Sequence, residues 1–198
     1  MIKQFAKLGL ILAAFSAVAC VGLAFVNGAT EAQIAANASK QLNESLTGLF
    51  PAASGFEDVS ATVSSPDPAV KFDAAYLAKG GSGSLGLAVK ASGNSYGGVA
   101  IVLVGVGKDR RLVGARVLDN KDTPGLGANA AVPTYFVDKS SKTTFPGQFA
   151  GKSLGDAFEV KKDVVAITAS TITSKAITKI IKAAGDAGSA WLAAAGGN

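Results

Sequence analysis

Five hydroxyl side chains fall within seven consecutive positions, Thr168-Ala169-Ser170-Thr171-Ile172-Thr173-Ser174, just where a helical pattern begins. Capping that helix would use one of them, Ser170 or Thr171, for roughly 1 kcal/mol. A helix N-terminus also turns free N–H groups and the positive end of its dipole toward an anion such as a phosphate. That dipole contributes only about 0.3–1 kcal/mol at an exposed site. So small an increment does not retain a phosphorylated ligand against loss to the medium. A phosphoester to a threonine oxygen would.

A second stretch with chemical potential is Asp122-Thr123-Pro124-Gly125-Leu126-Gly127. Proline fixes φ near roughly −65° and the glycine after it tolerates φ > 0, so Pro124-Gly125 suits a type II turn. Gly127 has no Cβ and lets backbone approach something flat or bulky. The stretch follows a strand pattern, and such loops commonly carry binding residues. A plain surface turn would use the same residues.

Other candidates admit plainer roles. Lys108, Arg110 and Arg111 read as a solvated hairpin tip. Tyr135-Phe136 would stack on a planar ligand or enter the core. Trp191 would lie at a membrane interface or cover the last helix. Asp119, Asp122 and Asp138 have no spacing that specifies a metal or an acid/base pair, so no metal site is expected.

The elements that must position these residues begin with a membrane segment. Leu8 to Thr30 runs 23 positions without a charge. A span needs about 20 apolar residues. Lys3 and Lys7 precede it and Glu31 follows, which puts the N-terminus in the cytoplasm and the remainder outside. A cleaved signal peptide has a shorter apolar core, about 7–15 residues. A lipoprotein signal at Ala17-Val18-Ala19-Cys20 would leave Val21, Leu23, Phe25 and Val26 exposed to water. The reading is a single-pass anchor in the cell membrane.

Beyond it, Glu31 to Leu49 reads as a juxtamembrane helix stopped before Pro51, and Ser64 to Pro68 as loop. Strands are expected at Phe72–Lys79, Leu85–Ala91, Gly97–Gly107 and Arg111–Leu118, the last two forming a hairpin. The turn at Gly80-Gly81-Ser82-Gly83 separates the first two. Two short strands are expected at Phe158–Lys161 and Val164–Thr168. Thr171 to Ala184 is a one-sided helix, with Ile172, Ile177, Ile180 and Ile181 opposite Lys175, Lys179 and Lys182. The fold class is α+β: a transmembrane helix, then one domain with an antiparallel sheet and a C-terminal helix. Boundaries are expected at 1–30 for the N-terminus and span, 31–60 for the juxtamembrane helix and linker, and 61–198 for the extracytoplasmic domain.

Composition sets outer limits. The 198 residues are 48% hydrophobic and 17% charged, with one cysteine and no histidine. One cysteine rules out a disulfide framework or an iron–sulfur cluster held by this chain alone. Without histidine, the usual haem ligand and imidazole zinc sites are absent. Redox or transfer chemistry would come from a cofactor that needs neither. The net charge of +5 is weak grounds for a nucleic-acid partner beside a membrane span, and none is expected.

The Thr123–Gly127 and Thr168–Ser174 stretches, behind one membrane helix and with Thr123 and Thr171 lying 48 positions apart, resemble the FMN-binding G subunit of the Rnf complex. A near relative is the C subunit of the sodium-pumping NADH:quinone oxidoreductase. The resemblance implies that a flavin transferase moves FMN from FAD onto a threonine hydroxyl, with Thr171 in the place of the flavinylated residue. Thr168, Ser170 and Ser174 match their motif positions, and Thr173 stands among them. The family's glycine is here Ala169. The resemblance further implies that Thr123, Pro124, Gly125, Leu126 and Gly127 wall the flavin. The implied function is electron transfer within a ferredoxin:NAD oxidoreductase coupled to ion translocation, not catalytic when isolated, with the other membrane subunits as partners. The alternatives are the C subunit of the quinone reductase, or a flavin-free anchored scaffold that uses the hydroxyls only as a cap.

Overall fold

The computed structural model describes residues 2–81 and 83–195; Ser82 of the expected glycine-rich turn and the last three residues of the tail lie outside them. Two compact units are present, residues 1–43 and residues 44–198. The first is one helix, α1, that continues without a break from Ile2 to Leu49 and so crosses into the second. The expected span and juxtamembrane helix are therefore consecutive parts of one element. Phe5, Leu8, Phe15, Leu23 and Phe25 are all exposed along it, an apolar surface suited to lipid.

The second unit is built on an antiparallel meander of β1 (Gly55–Asp58), β2 (Val70–Gly80), β3 (Gly83–Asn94), β4 (Val99–Gly107) and β5 (Leu112–Asn120). Spatial order follows chain order. Helix α2 (Thr171–Ala195) packs on one face, over β3 and β4. Gly93 brings β3 against Ile180, and Gly188 brings α2 against Val106. Residues 44–49 and Phe50 cover the other face, where strand glycines form a floor. The Phe50 ring lies over Gly86 and Gly105, and Leu49 over Gly114. Covering on both faces explains the unbroken apolar run of β4, buried from Val102 to Gly107.

The four expected strands form: the first two are longer than expected, the third starts two residues later, and the fourth is shifted by one to two residues. Near the end of β5 the register slips between Ile101↔Asp119 and Val102↔Val117. Such an irregularity re-aims a strand, here into the Asp122 loop. A small hairpin, β6 (Phe136–Asp138) with β7 (Thr143–Thr144), follows.

The strands expected at Phe158–Lys161 and Val164–Thr168 do not form. That region holds only a single bridge between Val160 and Val164. Phe158 and Lys161 have φ of 51° and 77°, outside the extended region. The Asp163 carboxylate draws the chain into a turn by accepting the N–H of Phe158 at 2.9 Å and of Glu159 at 2.6 Å. Lys152 donates to the same carboxylate at 2.9 Å, and Lys152 and Lys182 each place an ammonium 5.4 Å from the Phe158 ring centre. Apolar residues in this stretch pack as a pinned loop, so short-range composition misleads. Helix α2 also runs past Ala184 through the alanine-rich tail. Trp191 is itself part of that extension, packs against the core and donates to Thr62 Oγ1 at 2.9 Å.

Candidate functional site

The loop leaving β5 forms the expected turn. Leu126 N–H returns to the Thr123 carbonyl at 3.1 Å, and Gly125 sits at φ +77° with open space where a Cβ would stand. Only a glycine adopts that angle freely, so the Pro-Gly pair dictates the turn. Asn120 braces the loop from both ends. Its Oδ1 accepts the Asp122 N–H at 3.0 Å and its Nδ2 donates to the Gly127 carbonyl at 2.8 Å. Gly127 is needed for close approach, but the groups it approaches are the protein's own. A Cβ there would collide with Thr173 Oγ1 and the Asp122 carboxylate.

The second stretch is a tight turn leading into α2. Ser170 N–H donates to the Ile167 carbonyl at 3.0 Å. Between them Ala169 stands at φ +57°. A left-handed residue at this turn position explains why a glycine fits there; alanine adopts the same angle at a cost of about 1 kcal/mol. Ser174, fully buried, ties the turn to the first helical turn. Its Oγ accepts the Ile167 N–H and donates to the Ser170 carbonyl, both at 2.9 Å.

These two loops meet in a cavity of about 450 Å³, a size that accommodates a cofactor. Thr123, Leu126 and Gly127 line it from one side and Ala169, Ser170, Thr171 and Thr173 from the other. Thr171, the first residue of α2, is half-buried at the wall. Pro124, Gly125, Thr168 and Ser174 do not line it. Pro124 and Gly125 shape the turn, Ser174 is spent on backbone, and the Thr168 N–H faces Tyr135 Oη at 3.3 Å. Tyr135 is therefore a core-flanking residue held away from the cavity.

Three wall residues are not among the site residues expected from sequence, one of them Ile172, expected on the apolar side of α2 and instead 60% exposed at the cavity. Tyr96, at the β3–β4 turn, projects 68% exposed. Asp122 is only 4% exposed. It accepts the Ser95 hydroxyl at 2.6 Å, the Gly97 N–H, and a hydrogen bond from Thr173. Burial pushes its carboxyl up, but those three donors outweigh it and hold the group below its ordinary range. No spacing rule could find this pairing, because Ser95 is 27 positions from Asp122.

A larger hollow of about 510 Å³ lies along the lysine side of α2, against Lys175, Lys179 and Lys182. Two of these cations are already paired, Lys179 with Asp67 at 2.9 Å and Lys182 with Asp186 at 2.6 Å. That hollow also lacks the helix N-terminus.

The arrangement is that of an FMN-binding domain following a long apolar helix: residues 95–186 match the FMN-binding domain family. Residues 1–48 match the RnfG N-terminal region. Over 184 residues the chain is 32% identical to the G subunit of the ion-translocating oxidoreductase complex of Cereibacter sphaeroides, covering 87% of this chain and 79% of that one. The G subunit of the Na(+)-translocating ferredoxin:NAD(+) oxidoreductase complex of Acetobacterium woodii is 31% identical over 191 residues, 87% of this chain and 86% of that one. Its counterpart in the proton-translocating ferredoxin:NAD(+) oxidoreductase complex of Clostridium ljungdahlii is 38% identical over 115 residues, 55% of this chain and 56% of that one. This chain belongs to the RnfG family, the G subunits of the Rnf complexes.

Proposed function

We propose that this chain carries FMN as a phosphoester on Thr171 and relays electrons between the other subunits of a membrane-bound ferredoxin:NAD oxidoreductase that translocates ions. The observation that carries the reading is the cavity itself. It opens on the half-buried Thr171 at a helix N-terminus, and no lysine or arginine is among its lining residues. A site without a cation, aided by a dipole worth about 0.3–1 kcal/mol, retains a phosphorylated cofactor poorly unless the attachment is covalent.

FMN would supply the redox chemistry, and the chain its position and surroundings. Ser170 and Thr173 flank the attachment point, while Leu126 and Tyr96 offer apolar and aromatic surface to the ring. Ser174 and Ala169 act on the turn that aims Thr171. In maturation a flavin transferase forms the bond from Thr171 Oγ to phosphorus and breaks the pyrophosphate of FAD. AMP leaves, and the hydroxyl proton passes to a base on the transferase.

Lys3 and Lys7 ahead of the apolar run support an orientation with the N-terminus in the cytoplasm and this domain outside it. Residues 1–30 serve as the N-terminus and span; the FMN domain begins ahead of the expected boundary at 61, since residues 44–50 and strand β1 belong to its sheet and cover. A role as the C subunit of the sodium-pumping quinone reductase would use the same cavity; the match over residues 1–48 favours Rnf. A denaturing gel of the chain co-expressed with a flavin transferase tests the attachment. The band fluoresces under ultraviolet light and Thr171→Ala darkens it without unfolding the domain. A dark wild-type band, beside a control that the same transferase labels, leaves the flavin-free scaffold.

A further inference from the structure

The cavity proposed for an anionic cofactor has an anionic wall. Besides Tyr96, Asp122 is the one ionisable side chain among the described residues lining it. Its partners are the Ser95 hydroxyl, the Gly97 N–H and Thr173, all neutral donors. Among the described residues no lysine or arginine forms an ion pair with it; exposed Lys121 lies along Gly98. Neutral donors solvate a carboxylate without cancelling its charge, and in a protein interior that charge is felt over several ångströms. A free FMN phosphate carries about −1.5 to −2 charges at neutral pH, riboflavin none. Reduction of a flavin adds further negative charge.

We infer that Asp122 sets the charge of the cavity, so that the site rejects free phosphorylated flavin and holds its tethered flavin at a low reduction potential. The inference rests on the flavin occupying this cavity. It also gives the tether a second purpose, since the covalent bond overcomes a repulsion that the wall then uses on the electron.

The full chain in detergent, produced without transferase, is titrated with riboflavin and with FMN. Asp122→Asn keeps the size of the side chain and an oxygen for the Gly97 N–H. It tightens FMN binding about tenfold and leaves riboflavin unchanged. Leu126→Lys, which adds a cation at an exposed wall position without touching Asp122, also favours FMN over riboflavin and serves if Asp122→Asn fails to fold. The transferase-loaded protein is then titrated potentiometrically. Either substitution raises the midpoint by at least the equivalent of a tenfold change in the two-electron equilibrium, about 30 mV.

Equal effects on both flavins, or no effect on either, together with an unmoved midpoint, overturn the inference. Failure of the underlying reading looks different: Thr171 carries no flavin and there is no loaded protein to titrate. A loaded protein whose midpoint ignores both substitutions removes the role of Asp122 alone.

Discussion

Two carboxylates in this domain, Asp122 and Asp163, are both drawn below the ordinary range, by different means. At Asp163, burial pushes upward. The Lys152 ammonium and the N–H groups of Glu159 and Phe158 outweigh it and hold the group at about 2. At Asp122, burial is overcome by Ser95, Thr173 and Gly97, with no cation. The first arrangement neutralises a charge to pin a loop. The second keeps a charge in the wall of a cavity. Asp138 is also held low by serine donors alone; what sets Asp122 apart is that, among the described residues, it is the one buried carboxylate, and an unpaired buried charge is costly.

The largest effect falls on the pinned loop. Lys152→Ala leaves the Asp163 charge without its cation, and Asp163 is only 24% exposed. It lowers stability by about 2–3 kcal/mol, read as a shift of the denaturant midpoint at unchanged slope.

Acid tests the same pair. Because the folded pKa of Asp163 is depressed to about 2, its contribution is fully present above the unfolded value, about 3.9. It is lost as pH falls from about 4 toward 2, amounting to about 2 kcal/mol. Asp163→Asn removes that part of the acid transition, and an unchanged transition refutes the pairing.

On the other side of the comparison, Gly127→Ala forces a methyl against Thr173 and Asp122. It costs about 1–3 kcal/mol and reduces the flavin loading by transferase. A variant as stable and as well loaded as wild type would contradict the packing of that loop.

How much of this is legible in the sequence depends on range. The Thr123–Leu126 turn, the helix from Thr171 and the β4–β5 hairpin follow from neighbours a few positions apart, and all three form. Asp122 needs Ser95, Gly97 and Thr173, which only the folded chain brings together. The stretch from Phe158 to Thr168 has strand composition, yet Asp163 and Lys152 override it with side-chain bonds that no local pattern encodes. Ala169 lies between: a departure from the family's glycine is visible in the residues, but its consequence needs the angle of +57°.

That angle gives the smallest expected effect. Ala169→Gly relieves the left-handed alanine and raises stability by about 1 kcal/mol, seen as a higher melting temperature of the apo protein. A melting temperature that falls would place the strain elsewhere.

The flavin hangs on one oxygen atom, and the tryptic peptide Asp163–Lys175 from protein purified out of its native membrane shows whether that oxygen is esterified. Fragmentation finds the mass of FMN less one water, assigned to Thr171 and to none of the four neighbouring hydroxyls. A peptide of unmodified mass, or a flavin assigned to another residue, would contradict it.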